Sequence, residues 1–260
     1  SYIDEGLADL TRVIADLELT SIAIPPLGAG HGGLDWAEVR PRIVSALESL
    51  PDVRVLLYEP VPTPAARSMV SAAGKGTLTP GRAALIALLS GYDTSALGAS
   101  LIEVQKLMYF LQEAGEPLRL RYAANRYGPY ADNLRHVLRE LEGNYLTGYG
   151  DGSAPVMQAE PIELLTGSQA AAEDALSERP ETLERITQVL ELVEGFDTMY
   201  GTELLATVHW VATRKTDATN LEVITNQVQG WSRRKQELFT ERHIRIAWDR
   251  LRSAGWLAAA

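Results

Sequence analysis

The chain has 260 residues, a net charge of −10, no cysteine, and 46% hydrophobic residues. That apolar fraction excludes wholesale disorder, and the missing cysteine excludes a disulfide framework, a thiolate nucleophile and any cysteine-held zinc or iron–sulfur centre. No apolar run approaches the roughly 18 residues of a membrane span and no charged-then-apolar leader opens the chain, so the expectation is a soluble, cytoplasmic protein of one large or two small domains. The first residues are Ser1-Tyr2 rather than Met, which fits a fragment or a processed product.

Residues 3–17 set Ile3, Leu7, Leu10, Ile14 and Leu17 at alternating spacings of four and three, one apolar face of a helix. Ser21 to Ile24 predicts a short strand stopping at Pro25-Pro26. Asp35 is placed to cap a helix with Trp36, Val39, Ile43, Leu47 and Leu50 inward. Val53 to Tyr58 predicts a buried strand, and two strands joined by a helix should lie parallel. Residues 60–80 hold Pro60, Pro62, Pro64, Pro80, Gly74 and Gly76 and predict a linker. The expected organisation is therefore 1–62, a linker at 63–80, and a second domain at 81–260.

Beyond the linker the pattern is mostly helical. Ala83 to Leu89 is apolar all round, as in a buried helix. Leu101, Val104, Leu107, Met108 and Leu111 form the next face, and Leu118 to Tyr122 predicts a short extended piece. Gly128-Pro129 is expected to start a helix with Tyr130, Leu134, Val137, Leu138 and Leu141 inward. Residues 142–168 read as irregular. Helices follow around Leu183–Val193, Leu204–Val211, Leu221–Trp231 and Ile244–Leu251.

The charge is uneven. Residues 1–150 carry 17 acids and 13 bases, residues 151–204 carry 12 acids against Arg179 and Arg185, and residues 205–260 carry 9 bases and 5 acids. The middle block is either a solvated face or a surface for a basic partner, including a protein whose nucleic-acid groove it occupies.

Between the first strand and its helix, Gly28, Gly30 and Gly33 satisfy G-x-G-x-x-G. Glycines allow positive φ and close approach of a ligand to the backbone. The helix start behind them favours phosphate. A dinucleotide fold would place an acid after the next strand, where Glu59 stands, but that fold needs further βα units.

The string Ile24-Pro25-Pro26-Leu27-Gly28-Ala29-Gly30-His31-Gly32-Gly33-Leu34-Asp35-Trp36 resembles the phosphate-binding segment of macrodomains. It is most similar to the branch found in DarG-type antitoxins, whose usual string is P-P-L-G-C-G-N-G-G-L-D-W. Ala29 replaces the cysteine and His31 the asparagine, and the glycine frame is kept. Lys106-Leu107-Met108-Tyr109-Phe110, Gly115-Glu116-Pro117-Leu118 and Tyr127-Gly128-Pro129-Tyr130 resemble the C-terminal module of that family.

The resemblance spans essentially residues 1–257. It implies an α/β plus mainly α fold: the C-terminal portion of a three-layer α/β/α macrodomain, its N-terminal half absent, then a largely helical module. It implies removal of ADP-ribose from thymidine in single-stranded DNA, with ADP-ribose held by Gly28, Ala29, Gly30, His31, Gly32, Gly33 and Leu34. It implies a DarT-type ADP-ribosyltransferase toxin as the partner sequestered by the helical module. The catalytic lysine of the family is expected just before Ser1. Hence no catalytic residue, metal or cofactor is expected here, Lys75 and Lys106 are not promoted to that role, and the chain alone is expected to lack hydrolase activity. Two strands alone are also expected to make an unstable sheet.

His31, His136, His209 and His243 show no metal-ligand spacing. Tyr122, Tyr127, Tyr130 and Tyr145 cluster in sequence around Gly128-Pro129 beside several arginines. Either they pack a helix start, or Tyr127, Tyr130 and Arg126 meet a partner, since Tyr and Arg dominate binding hot spots. Trp231, Trp248 and Trp256 are expected in the core. The competing function is a nucleotide-ligand sensor fused to a winged-helix-like DNA binder ending at 244–257, which would require a basic stripe.

Overall fold

A computed structural model describes residues 2–17, 19–28, 34–59, 78–92, 98–214 and 220–257. The chain divides into two compact units, residues 1–64 with 151–159, and residues 65–150 with 160–260.

The smaller unit is α/β. Helix α1 (Tyr2–Asp16), strand β1 (Ser21–Ile24), helix α2 (Trp36–Leu47) and strand β2 (Arg54–Leu57) follow in order. The strands are parallel, with Ser21 opposite Arg54 and Ile24 opposite Leu57, as a strand–helix–strand connection requires. Leu7 and Ile14 of α1, Ile24 of β1, and Val39, Ile43 and Leu47 of α2 form one apolar core. Asp35 caps α2, its Oδ1 accepting from the Ala37 amide at 2.8 Å. Strand β2 departs from the buried strand expected: Leu56 is 44% exposed while Val55 and Leu57 pack on the core. Side chains alternate across a strand, and only one face of β2 meets the helices' apolar core.

The larger unit is mainly helical. Helices α3 (Pro80–Tyr92) and α4 (Leu101–Glu113) lead to a hairpin of β3 (Tyr122–Asn125) and β4 (Gly128–Ala131). Helix α5 (Leu134–Leu141) precedes a two-residue ladder of β5 (Leu146–Thr147) and β6 (Glu163–Leu164). Then come α6 (Ser168–Leu176), α7 (Pro180–Val193), α8 (Met199–Arg214), α9 (Leu221–Gln229), α10 (Arg233–Leu238) and α11 (Glu241–Ser253). Helix α8 is central, packing on α4, β4, α9 and α11. Helix α3 is buried from Ala83 to Ile86 without interruption, as its all-round apolarity predicts.

Three expectations are corrected here. Gly128-Pro129 does not start a helix. Gly128 has φ 87°, left-handed, and faces Asn125 across the hairpin, so the chain turns back as β4 and helix α5 begins only at Leu134. Two short helices not expected from the pattern, α6 and α10, lie within the acidic and basic segments. Trp231, beyond the end of α9, and Trp256, beyond the end of α11, are half-buried rather than in the core, whereas Trp248 is buried as expected.

Candidate functional site

The first candidate site is the turn after β1. Leu27 and Trp36, at its two shoulders, pack against the core of the smaller unit. Gly28 has φ 71°, and the Leu34 amide donates to the Gly28 carbonyl at 2.9 Å. That bond closes a loop between the carboxyl end of a parallel strand and the N-terminus of a three-turn helix, where backbone amides and the helix dipole favour an anion. Ala29, Gly30, His31, Gly32 and Gly33 lie outside the described residues; Gly28 and Leu34 are the members whose placement is known. Glu59 forms an ion pair with Arg40 at 3.4 Å, both exposed.

The second candidate site is the β3–β4 hairpin. Arg126 is exposed at its tip, and Tyr127 and Tyr130 are half-buried. The Arg234 guanidinium lies 4.9 Å from the Tyr127 ring centre and Arg126 lies 5.6 Å from it. Burial raises the Tyr130 phenol above its ordinary value.

Beneath the hairpin lies a buried charge cluster that the sequence did not reveal. Glu203, 1% exposed, accepts two hydrogen bonds from Arg234 at 2.6 and 3.0 Å and one from the Lys235 ammonium at 2.6 Å. Lys235 also donates to Thr207 Oγ1 at 3.1 Å. Lys106 is fully buried and donates to the Pro129 carbonyl at 2.6 Å, tying α4 to the hairpin. Burial opposes ionisation of Glu203, but the Arg234 hydrogen bonds and the Lys235 charge hold its carboxyl below the usual range. Burial pushes the Lys106 ammonium down to about 7, helped by Lys235 and resisted by Glu203. The sequence signal was a lysine inside an otherwise apolar stretch, Lys106-Leu107-Met108-Tyr109-Phe110.

His209 is buried, its Nδ1 2.8 Å from the Tyr109 hydroxyl, which also accepts from Arg214 at 3.0 Å. Burial, aided by the Arg214 charge, pushes the His209 imidazole down to about 4. No group of three or more His, Asp or Glu among the described residues could hold a metal, and no helix among them is long and apolar enough to cross a membrane. The acidic block does not form one surface. Glu203 is buried and paired, whereas Glu173, Asp174, Glu178, Glu181 and Glu184 are exposed on and between α6 and α7. The outer face of α11 carries Arg242 and Arg245 beside Asp249, with Arg245 paired to Glu241 at 3.0 Å, and is not a basic stripe.

No protein-family model matches the chain. A curated relative named DNA ADP-ribosyl glycohydrolase, from Thermus aquaticus, is 45% identical over 258 residues, covering 98% of this chain and 69% of the relative. Proteins of the same name from Mycobacterium bovis and Mycobacterium tuberculosis are 40% identical over 265 residues, covering 96% of this chain and 74% of theirs.

Proposed function

The chain belongs to the DNA ADP-ribosyl glycohydrolase family, and from that premise we propose that it serves the removal of ADP-ribose from DNA as part of a DarG-type antitoxin. In this reading the smaller unit is macrodomain-like, and the 28–34 loop holds the diphosphate and distal ribose. The observation that carries the site assignment is the Gly28–Leu34 closure at the start of α2. A phosphate at the start of a helix behind glycines is favoured by the backbone amides and the helix dipole. The reaction is hydrolysis of the N-glycosidic bond between ADP-ribose and the thymine base. Water adds to the anomeric carbon of the ribose and the proton it loses is returned to the base.

The larger unit acts without chemistry, by occupying a DarT-type ADP-ribosyltransferase toxin through Arg126, Tyr127 and Tyr130, with exposed acids of the 151–204 block imitating a DNA backbone. The exposed Glu173, Asp174, Glu178, Glu181 and Glu184, on and between α6 and α7, support this reading. The test of the ligand site is calorimetric titration of ADP-ribose into the full-length gene product. Binding that is lost in Gly32→Glu is expected, and binding indifferent to that substitution would remove the loop from the site. The test of sequestration is co-expression with the toxin. Rescue that survives Gly32→Glu is expected, and loss of rescue on that substitution alone would assign neutralisation wholly to hydrolysis.

A further inference from the structure

Three helices of the larger unit end around one cavity. Helix α4 ends at Glu113, α7 at Val193 and α11 at Ser253. The cavity has a volume of about 560 Å³ and is lined by Glu113 of α4, Gln188 and Glu191 of α7, His209 of α8, and Arg250 and Trp256 of α11 and the turn after it. That volume is of the size that takes a small molecule.

The charges around it favour a cation. A helix C-terminus carries the equivalent of roughly half a negative charge, and neither α4 nor α7 has a base in its last turn. Glu113 is paired with Arg214 at 2.6 Å. Glu191 is exposed, and its carboxylate forms no ion pair among the described residues. Arg250, the guanidinium of the lining, is spent on backbone: its Nε donates to the Leu192 carbonyl at 3.0 Å and its Nη2 to the Glu191 carbonyl. Arg252, in the last turn of α11, is turned to another ring, 4.6 Å from the centre of Trp248. His209 adds no positive charge at neutral pH, because burial, aided by Arg214, pushes its imidazole down to about 4. Trp256 is held at right angles to Phe110, ring centres 5.3 Å apart, and to His209, 6.0 Å apart. An indole attracts a cation to its face.

We propose that this cavity binds an alkylammonium ion, with Glu191 and Gln188 accepting its N–H groups and Trp256 against its stem. An ammonium has donors and no acceptor, which matches a lining whose free polar groups are a carboxylate, an amide and helix-end carbonyls. An anion would meet Glu191 and two helix ends of its own sign. The site lies wholly in the larger unit and does not depend on the ADP-ribose reading.

The experiment is calorimetric titration of diaminobutane into the full chain, with butanediol as the uncharged control. Saturable binding of the diamine, and none of the diol, is expected. Glu191→Gln should weaken it about tenfold or more, the scale of one charge-assisted hydrogen bond. Gln188→Lys, which brings a competing ammonium to the lining, should abolish it. Both positions are exposed, so the fold should be kept, as matching thermal melts would show. Glu178→Gln removes an exposed acid just before α7, outside the lining, and should bind as the parent does. A blocked lysine, acetylated at its α-amine and amidated at its carboxyl, separates two sources of the same group. Tighter binding of the diamine would assign the site to a free amine, and tighter binding of the blocked lysine to a protein side chain. A parent that takes up no diamine, or takes up the diol as well, would overturn the inference. So would equal losses in Glu191→Gln and Glu178→Gln, which would mark a general attraction of amines to an acidic chain.

Discussion

The Leu34 amide donates to the Gly28 carbonyl at 2.9 Å, and the two residues bracket the glycine turn between β1 and α2. Gly28 meets two demands there. Its φ of 71° is left-handed, and a Cβ built on it would lie 2.6 Å from Leu34 Cδ1. The Leu34 side chain is 43% exposed and can swing away, so the backbone demand should dominate. Gly28→Ala should destabilise the smaller unit by about 1–2 kcal/mol, and adding Leu34→Ala should not restore it. Urea unfolding followed by Trp36 fluorescence would measure this, and restoration would show the cost to be steric.

Gly128 and Gly167 offer a matched pair, with φ 87° and 86°. A Cβ at Gly167 meets nothing within 4 Å, whereas one at Gly128 lies 2.8 Å from Thr207 Oγ1 and 3.6 Å from Lys106 Cε. Both alanine variants should lose about 1–2 kcal/mol to the backbone. Gly128→Ala should lose roughly 1–3 kcal/mol more through overpacking. Equal losses in denaturant would contradict the packing described for the hairpin.

Glu203 is the carboxylate shared by Arg234 and Lys235 in the buried cluster. Removing one partner of a buried pair typically costs about 3–5 kcal/mol, because the remaining charge is left uncompensated. Glu203→Gln should show a loss of that order in its unfolding free energy, and Lys235→Met in the same background should recover part of it. A neutral Glu203→Gln would mean that Lys235 finds another acceptor.

Two buried bases set opposite ends of the pH profile. Lys106 titrates near 7 in the folded chain and near about 10.4 when unfolded. The unfolded chain therefore holds the extra proton between these values, and stability rises with pH there by up to about 1.4 kcal/mol per pH unit. Lys106→Met should remove that slope.

His209 titrates near 4 when folded and near about 6.5 when unfolded. Here too the unfolded chain holds the extra proton, so stability falls as pH drops from 6.5 towards 4. His209→Phe should flatten that limb. Parallel profiles for parent and variant, for either residue, would contradict its assigned burial.

Much of the smaller unit was legible in the sequence, because its signals are local. The spacing of Ile3, Leu7, Leu10 and Ile14, the cap at Asp35, and the strand–helix–strand order each rest on a few neighbouring residues. The helices α3, α4, α7 and α8 were legible for the same reason. The hairpin was not, since Gly128-Pro129 reads equally well as a helix start, and only the pairing of Ala123 with Tyr130 and of Asn125 with Gly128 decides between them. The cluster of Lys106, Glu203 and Lys235 was hidden because its members come from distant parts of the chain, even Glu203 and Lys235 being 32 residues apart, and Glu203 looked like one more acid in a solvated run. Of the loop residues, Gly28 and Leu34 close the turn, while Ala29 to Gly33 lie outside the described residues.

Release of ADP-ribose from a single-stranded oligonucleotide bearing ADP-ribosylated thymidine is the deciding experiment. It would use the full-length gene product, with Gly32→Glu beside it. The account predicts release of free ADP-ribose and an unmodified strand by the parent, reduced at least about a hundredfold in Gly32→Glu, the scale of losing one electrostatic contact to the reacting group. An unaltered oligonucleotide after incubation with the parent, or equal rates for parent and variant, would contradict it.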